Sequence, residues 1–213
     1  VDRLAVADLP SPDDAACVQV HLLALDSGTV LQVPTVLRAE VEPGAPGVIA
    51  RLEAGTLVDG PHDPAFVRAW LAAARHDGPP PGDPGPHHAL GGEQSNTSVL
   101  VPDADPPAIL KVFRSLIVGP NPDVAVPIAL SRAGWSGVPR PLAWLAGRWP
   151  GVGGTAVGHL GVLSELVRGA RDGFELACDL AGEGRSFGDL AEDLGRTTAQ
   201  MHRALREALP AAT

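Results

Sequence analysis

Asn96-Thr97-Ser98-Val99-Leu100-Val101 and Ala108-Ile109-Leu110-Lys111-Val112-Phe113-Arg114 are two runs of strand character. They are joined by Pro102-Asp103-Ala104-Asp105-Pro106-Pro107, a turn-rich connection. Such a connection between two β-rich runs predicts an antiparallel pair. The pair is preceded by Gly91-Gly92-Glu93-Gln94-Ser95, two flexible glycines and then small polar residues leading straight into the first strand. Successive backbone N–H groups and hydroxyls in a turn of this kind can surround phosphate oxygens. Taken alone, the Gly-Gly turn reads as a plain hairpin.

Lys111 changes that reading. It is the only lysine among 16 basic residues, the other 15 being arginine. A GC-rich coding sequence accounts for the arginine bias but not for the position of the one lysine. Flanked by Ile109, Leu110, Val112 and Phe113, it lies in an apolar strand, where a cation is costly to bury unless it meets an anion. A strand–turn–strand over nucleotide phosphates, with a lysine on a following strand, is the arrangement of protein-kinase-like enzymes.

Upstream, Val18 to Leu25 and Thr29 to Leu37 flank the turn Asp26-Ser27-Gly28 and predict a hairpin, with Pro34 placing the second strand at an edge or bulge. A weaker pair is expected around Val48–Leu52 and Thr56–Val58. Asp63 as a cap and Pro64 at the first helical position open a helix whose buried face is Phe66, Val67, Trp70, Leu71 and Ala74. Gly78 and the prolines behind it should end that helix. Residues 78–90, rich in proline, read as an extended linker in which His87 and His88 are solvated.

Downstream, Asn121, Pro122 and Asp123 start a helix somewhere in 121–133, with Pro127 bending or delaying it. Strands follow at Pro141–Leu145 and Ala156–Val167, separated by a Gly-rich loop at 150–154. A final amphipathic helix carries the ladder Leu190, Leu194, Thr198, Met201, Leu205 and Leu209, with Ser186 and Asp189 as its cap pair.

The formal net charge of −9 repels phosphate backbones, so nucleic acid is not an expected partner. No apolar run reaches the roughly 18–20 residues that span a bilayer, and no membrane partner is expected. Val1-Asp2-Arg3-Leu4 lacks a signal-peptide pattern. Cys17 and Cys178 are far apart with no metal spacing and read as reduced core thiols of a cytoplasmic protein. The 25 glycines and 22 prolines fall in bursts between apolar stretches, and the mean hydropathy of +0.10 leaves ample material for a core.

Several segments together carry a resemblance: Gly92 to Ser98, Ile109 to Arg114, Gly119-Pro120-Asn121-Pro122-Asp123, Gly169-Ala170-Arg171-Asp172-Gly173-Phe174-Glu175-Leu176, and Leu194 to His202. In order, and over nearly the whole chain, they resemble actinobacterial maltokinases, aminoglycoside-phosphotransferase-like kinases that use ATP and magnesium to make maltose 1-phosphate. Gln32-Val33-Pro34 and Gly60-Pro61-His62-Asp63-Pro64 look like that family's cap subdomain.

The resemblance implies an α+β fold: a cap with its Pro-rich linker over 1–90, a kinase-like nucleotide-binding N-lobe over 91–168, and the first helices beyond the hinge over 169–213. It implies that Gly92, Gln94, Ser95, Asn96 and Thr97 cover the phosphates and that Lys111 meets the α- and β-phosphates. Backbone groups at Glu165 and Val167 would meet the adenine edge, although Glu165 also reads as an ordinary solvent-facing strand residue. Arg171 and Asp172 read as a structural turn with a salt bridge.

The sequence departs from the family in two places. Ala125 stands where a helix glutamate pairs with the lysine, so Lys111 should lack its orienting partner. The His-Gly-Asp loop and Asp-Phe-type segment that supply the base and the magnesium ligands do not occur. No catalytic residue and no metal ligand is therefore assigned. The expectation is the N-terminal portion of an ATP-dependent sugar kinase, inactive alone, with a sugar acceptor only if a catalytic lobe is supplied. The alternatives are a stand-alone binding or regulatory module with a degenerate nucleotide-binding lobe, or a fragment of a kinase for another sugar or an aminoglycoside.

Overall fold

The computed structural model describes residues 1–91 and 95–209; Gly92, Glu93, Gln94 and 210–213 lie outside the described residues. In chain order the elements are β1 (Asp2–Leu9), β2 (Ala16–Ala24), β3 (Val30–Arg38), β4 (Val48–Leu52), β5 (Gly55–Asp59), α1 (Pro64–Ala73), β6 (Arg75–His76), β7 (His88–Ala89), β8 (Asn96–Val101) and β9 (Ala108–Phe113). There follow β10 (Ser115–Leu116), α2 (Pro122–Arg132), β11 (Pro141–Gly151), β12 (Gly154–Glu165), α3 (Gly173–Gly182) and α4 (Gly188–Ala208). The fold is α+β. Two antiparallel sheets run in the orders β1-β2-β3-β5-β4, with β10 on β3, and β6-β11-β12-β9-β8-β7.

The chain divides into two units. The first comprises Val1–Val124 and Pro141–Leu166, and the second comprises Ala125–Arg140 and the residues from Val167 onward. Both sheets and α1 belong to the first.

Strand alternation builds the first sheet. Along β2, Ala16, Val18, Val20 and Leu22 point inward and are buried, while Cys17 between them points out. Cys17 is therefore an exposed thiol and not part of the core, and so is Cys178 on α3. Pro34 is not on an edge strand or at a bulge: β3 pairs regularly with β2 along its whole length and is interior to the sheet. The other flank of β3 shows why proline is tolerated. Gln32 N–H donates to Arg114 O on the β10 side, so Pro34, two residues on, faces the same side. There β10 pairs only with Val30 and Leu31, and β5 begins at Thr35, so the missing N–H falls in the gap between the two partners.

α1 starts as its sequence dictates. Asp63 accepts the Ala65 N–H at 2.8 Å and Pro64 takes the first position. The Asp63 carboxylate is 5% exposed and is held by both Nε and Nη2 of Arg38, at 2.5 and 2.8 Å, while Arg38 Nη1 also meets Asp13 at 3.0 Å. The two hydrogen-bonded carboxylates raise the Arg38 pKa further above its already high value. Phe66, Val67, Trp70 and Leu71 are buried. The helix ends at Ala73, before the Gly78 and proline stop, because Arg75 and His76 turn into β6 and pair with β11. Trp70 reaches the inner face of the second sheet at Gly161. A Cβ there would lie 3.4 Å from the indole and 2.7 Å from Lys111 O, which excludes any side chain.

The linker also differs from its sequence reading at its end. His88 and Ala89 form β7 against β8. His87 is half-buried instead of solvated, and burial pushes its pKa down. The β11–β12 hairpin is longer than expected: Trp149 and Pro150 are in the strand, and the turn shrinks to Val152 and Gly153. α2 begins at Pro122 and runs through Pro127 to Arg132, neither delayed nor divided.

In the second unit, α3 precedes the amphipathic α4, so the region from 169 onward holds helices as the resemblance implies, and the Arg171–Asp172 turn leads into the first of them. Asp172 caps it, accepting from Phe174 N–H and Glu175 N–H at 2.9 and 3.0 Å, and Arg171 pairs with Asp179 at 2.6 Å. Along α4, Leu190 and Leu194 are 43% and 63% exposed, and no side chain of the helix is buried. The expected Ser186 and Asp189 cap pair does not form: the cap position is Phe187, which has no side-chain cap bond, and Ser186 Oγ, one residue earlier, accepts Gly188 N–H at 3.0 Å. Arg196 pairs with Glu192 and Asp193.

Candidate functional site

β9 lies between β8 and β12, with Lys111 opposite Ser98 on one side and opposite Val162 on the other. Ala108, Leu110 and Val112 alternate onto the buried face. Lys111 therefore stands on the opposite, partly open face, and its side chain is 37% exposed. The desolvation expected for a lysine in an apolar strand is avoided by alternation alone.

Its ammonium meets an anion nonetheless. Lys111 Nζ donates to Asp123 Oδ2 at 2.5 Å. Asp123 sits in the first turn of α2, where Asn121 Oδ1 caps its N–H at 2.9 Å and where an acidic side chain also complements the helix dipole. Ala125 therefore does not leave the lysine without a partner, as the sequence comparison implied. The carboxylate is supplied two positions earlier. The sequence signal was present in Asn121-Pro122-Asp123 but had been read only as a helix start.

The same face carries His159. Its Nδ1 accepts the backbone N–H of Asn121 at 3.1 Å, and burial holds its pKa below the ordinary imidazole value. Nothing in the linear sequence marks His159 as part of this cluster.

The other site candidates are placed as follows. Gly92 and Gln94 lie outside the described residues. Asn96, opposite Phe113, begins β8, and its side-chain amide donates to Ser95 Oγ at 3.4 Å. Thr97 lies opposite Val112, on the face away from Lys111, where its hydroxyl accepts from Arg114 Nε at 2.9 Å. Arg114 in turn pairs with Asp59 at 2.6 Å, tying β8 to the first sheet. Glu165 ends β12 opposite Ala108. Leu166 N–H donates to Pro107 O at 2.8 Å, so the amide groups of Glu165, one residue earlier, point away from β9. Val167 opens the second unit and is 55% exposed.

A cleft of about 680 Å³ bordered by Arg68, Leu71, His76 and Pro80 contains none of these residues. Its charged groups are already committed, Arg68 to Asp83 at 3.1 Å and Asp13 to Arg38. The Lys111 face, with a cation held at an open surface, is the better candidate for an anionic ligand.

No family model matches the sequence. Among solved structures, the chain is similar to a glucosamine kinase at 21% identity, with a TM-score of 0.51 over 94% of this chain and 45% of that one. A glucosamine kinase in complex with glucosamine, ADP and inorganic phosphate is similar at 21% identity, with a TM-score of 0.50 over 96% of this chain and 48% of that one. The fold is kinase-like. This α+β chain spans about half the length of the sugar kinases it matches. Among the described residues, no helix is long and apolar enough to cross a membrane.

Proposed function

We propose that this chain is the nucleotide-binding part of an ATP-dependent sugar kinase of the maltokinase kind, whose full reaction converts maltose and ATP into maltose 1-phosphate. The observation that carries the proposal is the sole lysine, on an interior strand of the second sheet, held at an open face by a carboxylate from a helix start. A lysine fixed this way presents its remaining N–H donors to an anion without searching for a conformation, which is what phosphate positioning requires.

In this reading Lys111 meets the α- and β-phosphates. The turn from Gly92 to Ser98 covers them, with Gln94, Ser95, Asn96 and the backbone of Thr97 as contacts. The Thr97 hydroxyl is already engaged by Arg114. Backbone groups of Glu165 meet the adenine edge. Residues 1–90 act as the cap, 91–168 as the nucleotide lobe, and 169–213 as the start of a helical region. The glucosamine kinase solved with sugar, ADP and phosphate supports a sugar as acceptor for this fold.

Magnesium, which supplies charge neutralisation between the phosphates in such reactions, fits the described residues poorly. No group of three or more His, Cys, Asp or Glu among them could hold a metal ion, and Asp123 is engaged by Lys111. With no His-Gly-Asp segment either, the chain is expected to bind nucleotide without transferring phosphate.

Isothermal titration with ATP and with ADP tests this, comparing wild type with Lys111→Met. Saturable binding that weakens at least about tenfold in the variant is expected, the usual order for a charge-assisted contact. Absence of wild-type binding at millimolar nucleotide sinks the proposal, and equal binding by both proteins removes Lys111 from it.

A further inference from the structure

The Lys111 face owes one of its members to an irregularity in β12. Opposite β11, Gly161 pairs with Leu145 but His159 pairs with Ala146, leaving Leu160 as an extra residue. In a regular strand Leu160 would follow Val162 onto the face that Lys111 occupies. The bulge instead turns Leu160 inward, to 5% exposure, and brings His159 onto that face. The Leu160 carbonyl, displaced from the ladder, is taken by Gln32 Nε2 at 2.9 Å.

The segment before α2 is laid along this bulged strand. Gly119 N–H donates to Val157 O at 2.7 Å, and Gly119 bridges Gly158 in parallel. Ile117 O approaches so closely that a Cβ on Gly158 would lie 2.3 Å from it. From there the connections run in series. His159 Nδ1 accepts Asn121 N–H, Asn121 Oδ1 accepts Asp123 N–H, and Asp123 Oδ2 holds Lys111 Nζ.

We propose that His159 is a positioning residue for the Lys111 site: its neutral ring, accepting the Asn121 amide at Nδ1, holds the first turn of α2 where Asp123 meets Lys111, and protonation releases that turn. Accepting at Nδ1 requires the tautomer with its proton on Nε2. The imidazolium carries N–H on both nitrogens and sets a donor against the Asn121 donor. Burial favours the neutral ring, so release comes only as the pH falls below the ordinary imidazole range. Among the described residues, the charged groups of the neighbouring elements on this face are Arg148 of β11, Asp123 of α2 and Lys111 of β9; the segment from Ile117 to Asn121 brings none. The pH effect on the lysine pair needs no nucleotide. Only its consequence for binding rests on the proposed function.

Because the chain contains a single lysine, lysine-selective ¹³C and ¹⁵N labelling of the full chain gives one ε signal that reads the pair directly. Asp123→Asn marks the signal of the broken pair. In wild type the signal should sit away from that mark at about pH 7.5 and move toward it with a midpoint below about 6.5. His159→Leu should lie at the broken position throughout. His159→Asn, whose Oδ1 can accept near the place of Nδ1 without titrating, should keep the paired signal down to about pH 5. ATP affinity should fall about fivefold across the same midpoint in wild type and stay level in His159→Asn, the size an exposed ion pair can contribute.

A paired signal in folded His159→Leu, or a wild-type titration retained in His159→Asn, overturns the proposal. Wild type that titrates as described yet binds no nucleotide overturns the proposed function alone.

Discussion

α1 and α2 open alike, with a short polar residue and then proline: Asp63-Pro64 in one and Asn121-Pro122 in the other. Each start brings a carboxylate to a cation on a nearby strand. At α1 the carboxylate is the cap itself, 5% exposed and clamped by two nitrogens of Arg38. At α2 the cap is a neutral amide, and the carboxylate two residues on is 50% exposed and holds one ammonium. The first pair is closed in by fold contacts, with all three guanidinium nitrogens engaged by Asp63 and Asp13. The second uses a point charge with three donors, one of them committed. Planar, bidentate arginine suits the closed corner, and lysine suits a corner that, in the proposed function, also receives a ligand. The lysine's rarity in this chain sharpens the contrast.

The largest effect should come from breaking the closed corner. Asp63→Ala removes the α1 cap and leaves Arg38 with only Asp13, and a loss of about 3–5 kcal/mol in urea unfolding is expected. A loss below about 1 kcal/mol would mean that the two corners do not differ. Next is Gln32, 3% exposed, whose amide donates to Phe113 O at 2.8 Å and to Leu160 O and so joins the two sheets. Gln32→Leu strands two buried carbonyls, and the unfolding free energy should fall by about 2–3 kcal/mol.

At the open corner, Lys111→Met or Asp123→Asn should change stability by no more than about 1 kcal/mol, because both side chains are substantially exposed. A larger loss would make the pair structural and undo the comparison.

The smallest effect concerns pH. Burial lowers the pKa of His21, His87 and His159. The unfolded chain therefore binds more protons than the folded one as pH falls below the ordinary imidazole value of 6.5. Stability contributed by the neutral rings is complete above that value and is lost as the pH falls toward the folded values. The urea midpoint should drop between about pH 7.5 and pH 5.5, and a flat profile would show that these rings are freely solvated.

Much of this was legible in the sequence because it is local. The hairpins β2–β3 and β8–β9 follow from β-rich runs around turn residues, and the α1 start follows from Asp63-Pro64. What was not legible depends on distant partners. β6 and β7 are two residues each and exist only because β11 and β8 accept them. Pro34 could be interior because β10 and β5 stop on either side of it, a fact written in two segments further along the chain. Cys17 was misplaced although the alternation of β2 already turned it outward. At the site, Lys111 was readable as an outlier of composition. Its partner Asp123 was sought two positions too late, and His159 could not be found because a bulge inverts strand parity without any mark in the residue pattern.

The two sheets also trade strands across the Pro-rich segment. β6, which precedes it, pairs with β11, and β10, which follows it, pairs with β3. The segment thus joins two halves that already hold each other. A chain nicked within residues 79–86 should behave as a complementing pair of fragments that co-elute until denaturant is added, so proteolytic sensitivity there would report an accessible backbone and not a separable domain.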